Sequence, residues 1–136
     1  MTAKSLGFAE LLQLFFTERL LQQRHVSSHT IASYRDTFRL LLAFAKNQLH
    51  KNPSELDLTV LDAPFLATFL LHLETQRENN ARTRNLRLAA LRSFFRFVAL
   101  RDPTYAHLCQ RVLAMPSKKH AKRPIDFLNE TEREAL

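Results

Sequence analysis

Asn85-Leu86-Arg87-Leu88-Ala89-Ala90-Leu91-Arg92-Ser93-Phe94-Phe95-Arg96-Phe97 is the stretch on which the fold turns. Its spacing predicts a helix from about Asn80 to Leu100. Leu86, Ala90, Leu91, Phe94, Phe97 and Val98 make a broad apolar face at helical period. Arg82, Asn85, Ala89, Arg92 and Arg96 fall at steps of three, four, three and four, which places them on a common stripe. Arg84 and Arg87 project near its start. An ordinary solvated helix mixes in acids for i, i+4 pairs, and no Asp or Glu occurs between Arg82 and Arg101.

The flanking sequence reads the same way. Prolines stand at 53, 64, 103, 116 and 124, and Gly7 is the only glycine. Tight hairpins and phosphate-cradling loops lean on glycine, so an all-α chain is expected. Phe8, Leu11, Leu12, Phe15 and Phe16 predict a first helix over about Ser5 to Gln23. It is greasy enough to be core or to dock on a neighbouring subunit. Ser27 or Ser28 can cap a second helix to about Leu49, with Ile31, Tyr34, Phe38, Leu41, Leu42 and Ala45 inward. Lys51 to Leu61 reads as a loop. Asp62 can cap a third helix with Pro64 in its first turn and Leu66, Phe69, Leu70 and Leu73 inward. A short helix over Tyr105 to Leu113 follows the long one.

Pro116 to Pro124 has no apolar periodicity and four basic residues, and reads as an extended linker. After it, Asn129 can cap a helix whose first turns are acidic. The expected division is therefore a helical domain over 1–115, a basic linker over 116–127 and the start of a truncated further domain over 128–136.

The formal charge of +7 is unevenly spread. Residues 1–76 carry seven Lys/Arg and seven Asp/Glu, whereas residues 77–124 carry twelve against two, net +10. Such a zone is the footprint of a polyanion partner, or else a merely solvated basic surface. No apolar run approaches the ~18 residues of a membrane span. Met1 to Leu6 lacks a signal pattern and the lone Cys109 fits a reducing compartment, so a cytoplasmic protein is expected.

Double-stranded DNA is the partner these residues suit. A helix fits the major groove, arginine can contact guanine edges or phosphates, and asparagine can read adenine. Arg82, Thr83, Arg84, Asn85, Arg87, Arg92 and Arg96 supply both kinds of group. Thr30, Tyr34 and Arg35 lie near the start of the second helix, where backbone N–H groups and the dipole favour phosphate. Lys118, Lys119, Lys122 and Arg123 could run along a backbone and add a salt-dependent term.

Catalytic patterns are poor. His25 and His29 stand four apart, but Val26-Ser27-Ser28 reads as a helix break and no third metal ligand is evident. Asp57 and Asp62 are better explained by a turn and a cap than as a carboxylate pair. No metal or cofactor is expected.

The stretch from Val26 to Asp36, followed by Phe38 and Phe44, resembles the second helix of tyrosine recombinases of the phage integrase family, Xer-like members included. Asn85 to Phe97 is similar to the family's fourth helix. Pro116, the basic linker and the Thr-Glu-x-Glu-x-Leu ending resemble the crossover into the catalytic domain. The resemblance covers nearly the whole chain. It implies an orthogonal bundle of four to five helices, the SAM-like core-binding domain, forming one jaw of a clamp on a recombination site. It places the catalytic residues beyond Leu136, so this part would bind DNA without cutting it. Tyr34 and Tyr105 are not the implied nucleophile. The implied parent makes a 3′-phosphotyrosyl link without metal or nucleotide and acts as a tetramer in the bacterial cytoplasm. This part alone would be a monomer or a weak dimer through its first helix.

Two other readings compete. A non-enzymatic helix-turn-helix regulator needs two short helices around a tight turn, which this chain lacks. A helical protein-interaction module leaves the +10 zone without a purpose.

Overall fold

The computed structural model describes residues 6–20, 26–77 and 80–119. Among them stand five α-helices and no strand: α1 (Phe8–Leu14), α2 (Ser28–Leu49), α3 (Ala63–Gln76), α4 (Ala81–Arg101) and α5 (Ala106–Leu113). Side-chain caps start three of them, the first two as the sequence suggests. The Ser27 hydroxyl accepts from the Thr30 N–H at 3.0 Å, opening α2. Asp62 accepts from the Phe65 N–H at 3.0 Å and Asn80 from the Thr83 N–H at 2.9 Å, opening α3 and α4. α2 closes on His50, which adopts a left-handed φ of 56° and donates its N–H to the Lys46 carbonyl.

The first helix departs from a plain α-helix. Beyond Leu14 it widens into a π segment, Phe15–Leu20. A step of five residues turns an α-helix about 140° off its face. The i→i+5 pairing of the π form brings that step back toward the same side. Phe15 and Leu20 are both buried as a result. The Phe15 ring lies against Tyr34, Phe38, Phe94 and Phe97, with centroids 6.4, 6.2, 5.5 and 5.7 Å away. Phe8 meets Phe94 edge-on at 5.6 Å. The inward face of the greasy first helix is therefore core.

A second layer joins α2 to α3, where Phe44 packs on Phe65 and Phe69 at 5.4 and 5.6 Å. All of the expected inward residues of α3 are buried. On α2, Phe38, Leu41 and Ala45 are buried as expected and Phe44 joins them, whereas Ile31, Tyr34 and Leu42 are only partly buried against the core.

The 51–61 stretch is more ordered than a loop. It makes two 3₁₀ turns, Pro53–Glu55 and Leu58–Val60, and buries Leu56, Leu58 and Leu61. Asp57 caps the second turn by accepting from the Thr59 N–H and hydroxyl, both at 2.9 Å. These bonds hold its carboxyl below the usual carboxylate range. Asp57 and Asp62 are thus a turn and a cap. A further 3₁₀ turn, Pro103–Tyr105, leads into α5, whose Cys109 and Val112 close the far side of α4.

Candidate nucleic-acid interface

α4 divides its polar residues between two directions. Arg82, Ala89 and Arg96 are spaced by sevens and all exposed, with Leu86 (56% exposed) and Leu100 (74%) on the same outward side. Leu86 was expected in the apolar face. That face is instead completed by Leu88 and Phe95, both fully buried. Among the described residues, Arg82 and Arg96 make no hydrogen bond or ion pair.

The other basic residues of α4 are engaged. Arg84 Nε lies 3.2 Å from Glu74 Oε1 on α3, with both side chains about 15% exposed. Arg87 Nη1 lies 3.4 Å from Asp36 Oδ2 on α2. Arg92 donates to the Met115 carbonyl and to the Ser117 hydroxyl. The Asn85 amide donates to the Lys118 carbonyl at 2.7 Å and accepts from the Lys118 N–H at 2.8 Å. Asn85 and Arg92 thus share a register with Arg82 and Arg96, but their head groups reach the segment leaving α5.

Glu74 was not legible as part of this region. It also receives the Lys118 ammonium at 2.7 Å. Its partners lie 10 and 44 positions away, and no local spacing announces such a pairing. Glu18 likewise holds Arg101 at 2.8 Å. The acids of the formally neutral first 76 residues are spent partly on the basic zone.

The start of α2 offers a smaller patch. Thr30 is occupied by Ser27, with the two hydroxyls 2.9 Å apart. The Tyr34 ring stacks on Phe15, so it is packing. Arg35 is exposed, its guanidinium 5.7 Å from the Phe16 ring centre. Arg39, one turn on, is also exposed; its i, i+4 spacing from Arg35 was the signal that could have found it. Both line a 480 Å³ groove with Leu12, Phe16, Phe38 and Leu42. Because Arg87 grips Asp36, the early turns of α2 and α4 lie side by side.

Lys118 and Lys119 are exposed on a segment without helix. Lys122, Arg123, His25 and the 128–136 segment lie outside the described residues, as does the expected linker beyond residue 119. Among the described residues no group of His, Cys, Asp and Glu could hold a metal ion, and no helix is long and apolar enough to cross a membrane.

Comparison with known proteins places this geometry. Residues 14–102 match the family model described as phage integrase, N-terminal SAM-like domain. The chain is 48% identical over 133 residues to "Putative integrase/recombinase y4rC" of Sinorhizobium fredii, covering 98% of this chain and 40% of that protein. It is 42% identical over 134 residues to "Putative integrase/recombinase y4rD" of the same organism, covering 98% of this chain and 48% of that protein. The chain thus spans less than half the length of either relative. No solved structure gives a significant match. With five α-helices among its described residues and the match across α2, α3 and α4, the chain belongs to the family of phage integrase N-terminal SAM-like domains.

Proposed function

We propose that this chain grips duplex DNA at a recombination site, as the N-terminal jaw of a tyrosine recombinase clamp. The observation that carries this reading is the outward stripe of α4. Arg82 and Arg96 stand exposed there without an acidic neighbour on the helix, and Lys119 is exposed on the segment that Asn85 and Arg92 hold against α4. Unpaired cations on one face draw a polyanion by releasing its counterions. Arg35 and Thr30 at the start of α2 form the second contact, brought alongside α4 by the Arg87–Asp36 pair. Lys122 and Arg123 extend the track in sequence.

Arg84, Arg87, Arg92, Asn85 and Thr83 hold the interface in shape, and Tyr34 supports it from the core. The residues divide as positioning and contact groups usually do in protein–DNA recognition. Strand exchange itself, through a phosphotyrosyl link, is assigned to the rest of a longer protein in which 1–115, 116–127 and 128–136 are helical domain, linker and the start of the catalytic part. The synaptic assembly of that protein is tetrameric, and the setting is the bacterial cytoplasm.

Titration of the chain with duplex DNA at two salt concentrations tests the reading. Binding that weakens steeply with salt, and is lost in Arg82→Ala/Arg96→Ala/Lys119→Ala, is the expected result. Absent or salt-insensitive binding overturns it.

A further inference from the structure

We propose that Asn85 is a positioning residue. It pins the chain's exit from the helical domain onto α4 and thereby fixes where Lys118 and Lys119 stand relative to Arg82 and Arg96.

From Met115 to Lys119 the backbone has no helix or sheet to satisfy its polar groups. Side chains of α4 supply what regular structure would. The Met115 carbonyl accepts from Arg92, the Pro116 carbonyl from Arg84 Nη1 at 3.4 Å, and the Ser117 hydroxyl from Arg92 Nη1 at 3.2 Å. Met115 is buried and anchors the near end. At Lys118 the bonding is two-way, through both polar atoms of the Asn85 amide. A primary amide carries donor and acceptor side by side, so it pairs with a peptide much as a neighbouring strand would. The Lys118 ammonium then closes on Glu74, which also holds Arg84. α3, α4 and the exit segment are joined in one network.

The network has a consequence for recognition. An asparagine reads adenine with the same donor and acceptor that Asn85 gives to Lys118. While the exit is pinned, those atoms are committed, and Asn85 sets the path of the chain instead of reading a base. Arg84 and Arg92 are committed in the same way. Contact with DNA falls to Arg82, Arg96 and Lys119, whose place the latch sets, and the Lys118 ammonium reaches a phosphate only by leaving Glu74. This last step rests on the DNA-binding reading above; the latch itself does not.

Amide hydrogen exchange on the 136-residue chain without DNA tests the latch. The Lys118 amide is protected in the wild-type chain and exchanges at least about tenfold faster in Asn85→Ala, while α4 amides keep their protection. Asn85→Asp is the second variant. It keeps an acceptor for the Lys118 N–H but sets a carboxylate against the Lys118 carbonyl, and an intermediate loss of protection is expected. An unprotected Lys118 amide in the wild type, or equal protection in both variants, overturns the latch. Duplex DNA titration then tests the positioning. Asn85→Ala binds several-fold more weakly, and Lys118→Ala/Lys119→Ala added to it costs less than it does in the wild type. Faster exchange with unchanged DNA affinity overturns the positioning role. Wild-type chain that keeps its Lys118 protection but fails to bind DNA overturns only the DNA reading.

Discussion

Arg87 on α4 reaches Asp36 on α2, Nη1 to Oδ2, at 3.4 Å, with the Arg87 side chain 12% and the Asp36 side chain 48% exposed. The buried Arg87 Nε has no partner among the described residues. Removing Asp36 leaves a largely covered guanidinium poorly matched. The half-exposed acid and the long contact keep the loss small. Asp36→Ala is expected to cost about 1 kcal/mol of unfolding free energy. In a double-mutant cycle with Arg87→Met the second change then adds little. Urea denaturation of the four proteins measures it; strictly additive losses show that the pair does not couple.

The aromatic hub sets a larger scale. Phe15 and Phe94 are fully buried, and each meets rings from other elements. Phe15→Ala and Phe94→Ala each open a void that the surrounding rings cannot fill. Each is expected to lower unfolding free energy by about 3–5 kcal/mol. Leu86→Ala, on the exposed stripe of the same helix as Phe94, changes it by less than about 0.5 kcal/mol. Equal losses at Leu86 and Phe94 would show that α4 lies the other way round.

The contrast marks what was legible. The period of Phe94, Leu91 and Val98 fixed which side of α4 faces inward, and Ser27 and Asp62 announced the starts of α2 and α3. Those are local signals, written within a turn or two of the residue they govern. Leu86 was misplaced because it sits at the border of the apolar arc, where periodicity alone does not decide. The π segment at Phe15 escaped because its cause is tertiary: Leu20 must return to the core beside Phe15. The Glu74–Lys118 and Asn85–Lys118 contacts join residues 44 and 33 positions apart. The basic residues were visible in the sequence; which of them the fold already occupies was not.

Cys109 gives the chain a pH-dependent term at the alkaline end. Burial, with the Asp102 carboxylate adding to it, pushes the thiol from 9.0 up to about 11. The folded state therefore keeps its proton at a pH where the unfolded chain has lost it. This contribution is complete below pH 9.0 and is lost as pH rises through about 11. Within that window stability falls by up to about 1.4 kcal/mol per pH unit. Tyr105, raised by burial and by Asp57 and Asp102, acts in the same direction at higher pH. Denaturant midpoints measured from pH 8 to pH 11 should fall for the wild-type chain and fall less steeply for Cys109→Ala. Identical slopes would show that another group carries the alkaline loss.

The division of arginines on α4 makes the most discriminating prediction about DNA. Arg82 and Arg96 are exposed, whereas Arg92 is committed to Met115 and Ser117. A cation that releases a phosphate counterion contributes about one to the slope of log affinity against log salt. Arg82→Ala and Arg96→Ala are each expected to lower that slope by about one and to leave thermal stability nearly unchanged. Arg92→Ala does the reverse at first order: the melting temperature drops because the exit segment loses two bonds, and the slope holds. Affinity still falls in Arg92→Ala, through a looser Lys118–Lys119, but by a factor that does not depend on salt. If Arg92→Ala lowers the slope as Arg82→Ala does, then Arg92 leaves Met115 to reach a phosphate, and the exit segment must open when DNA binds.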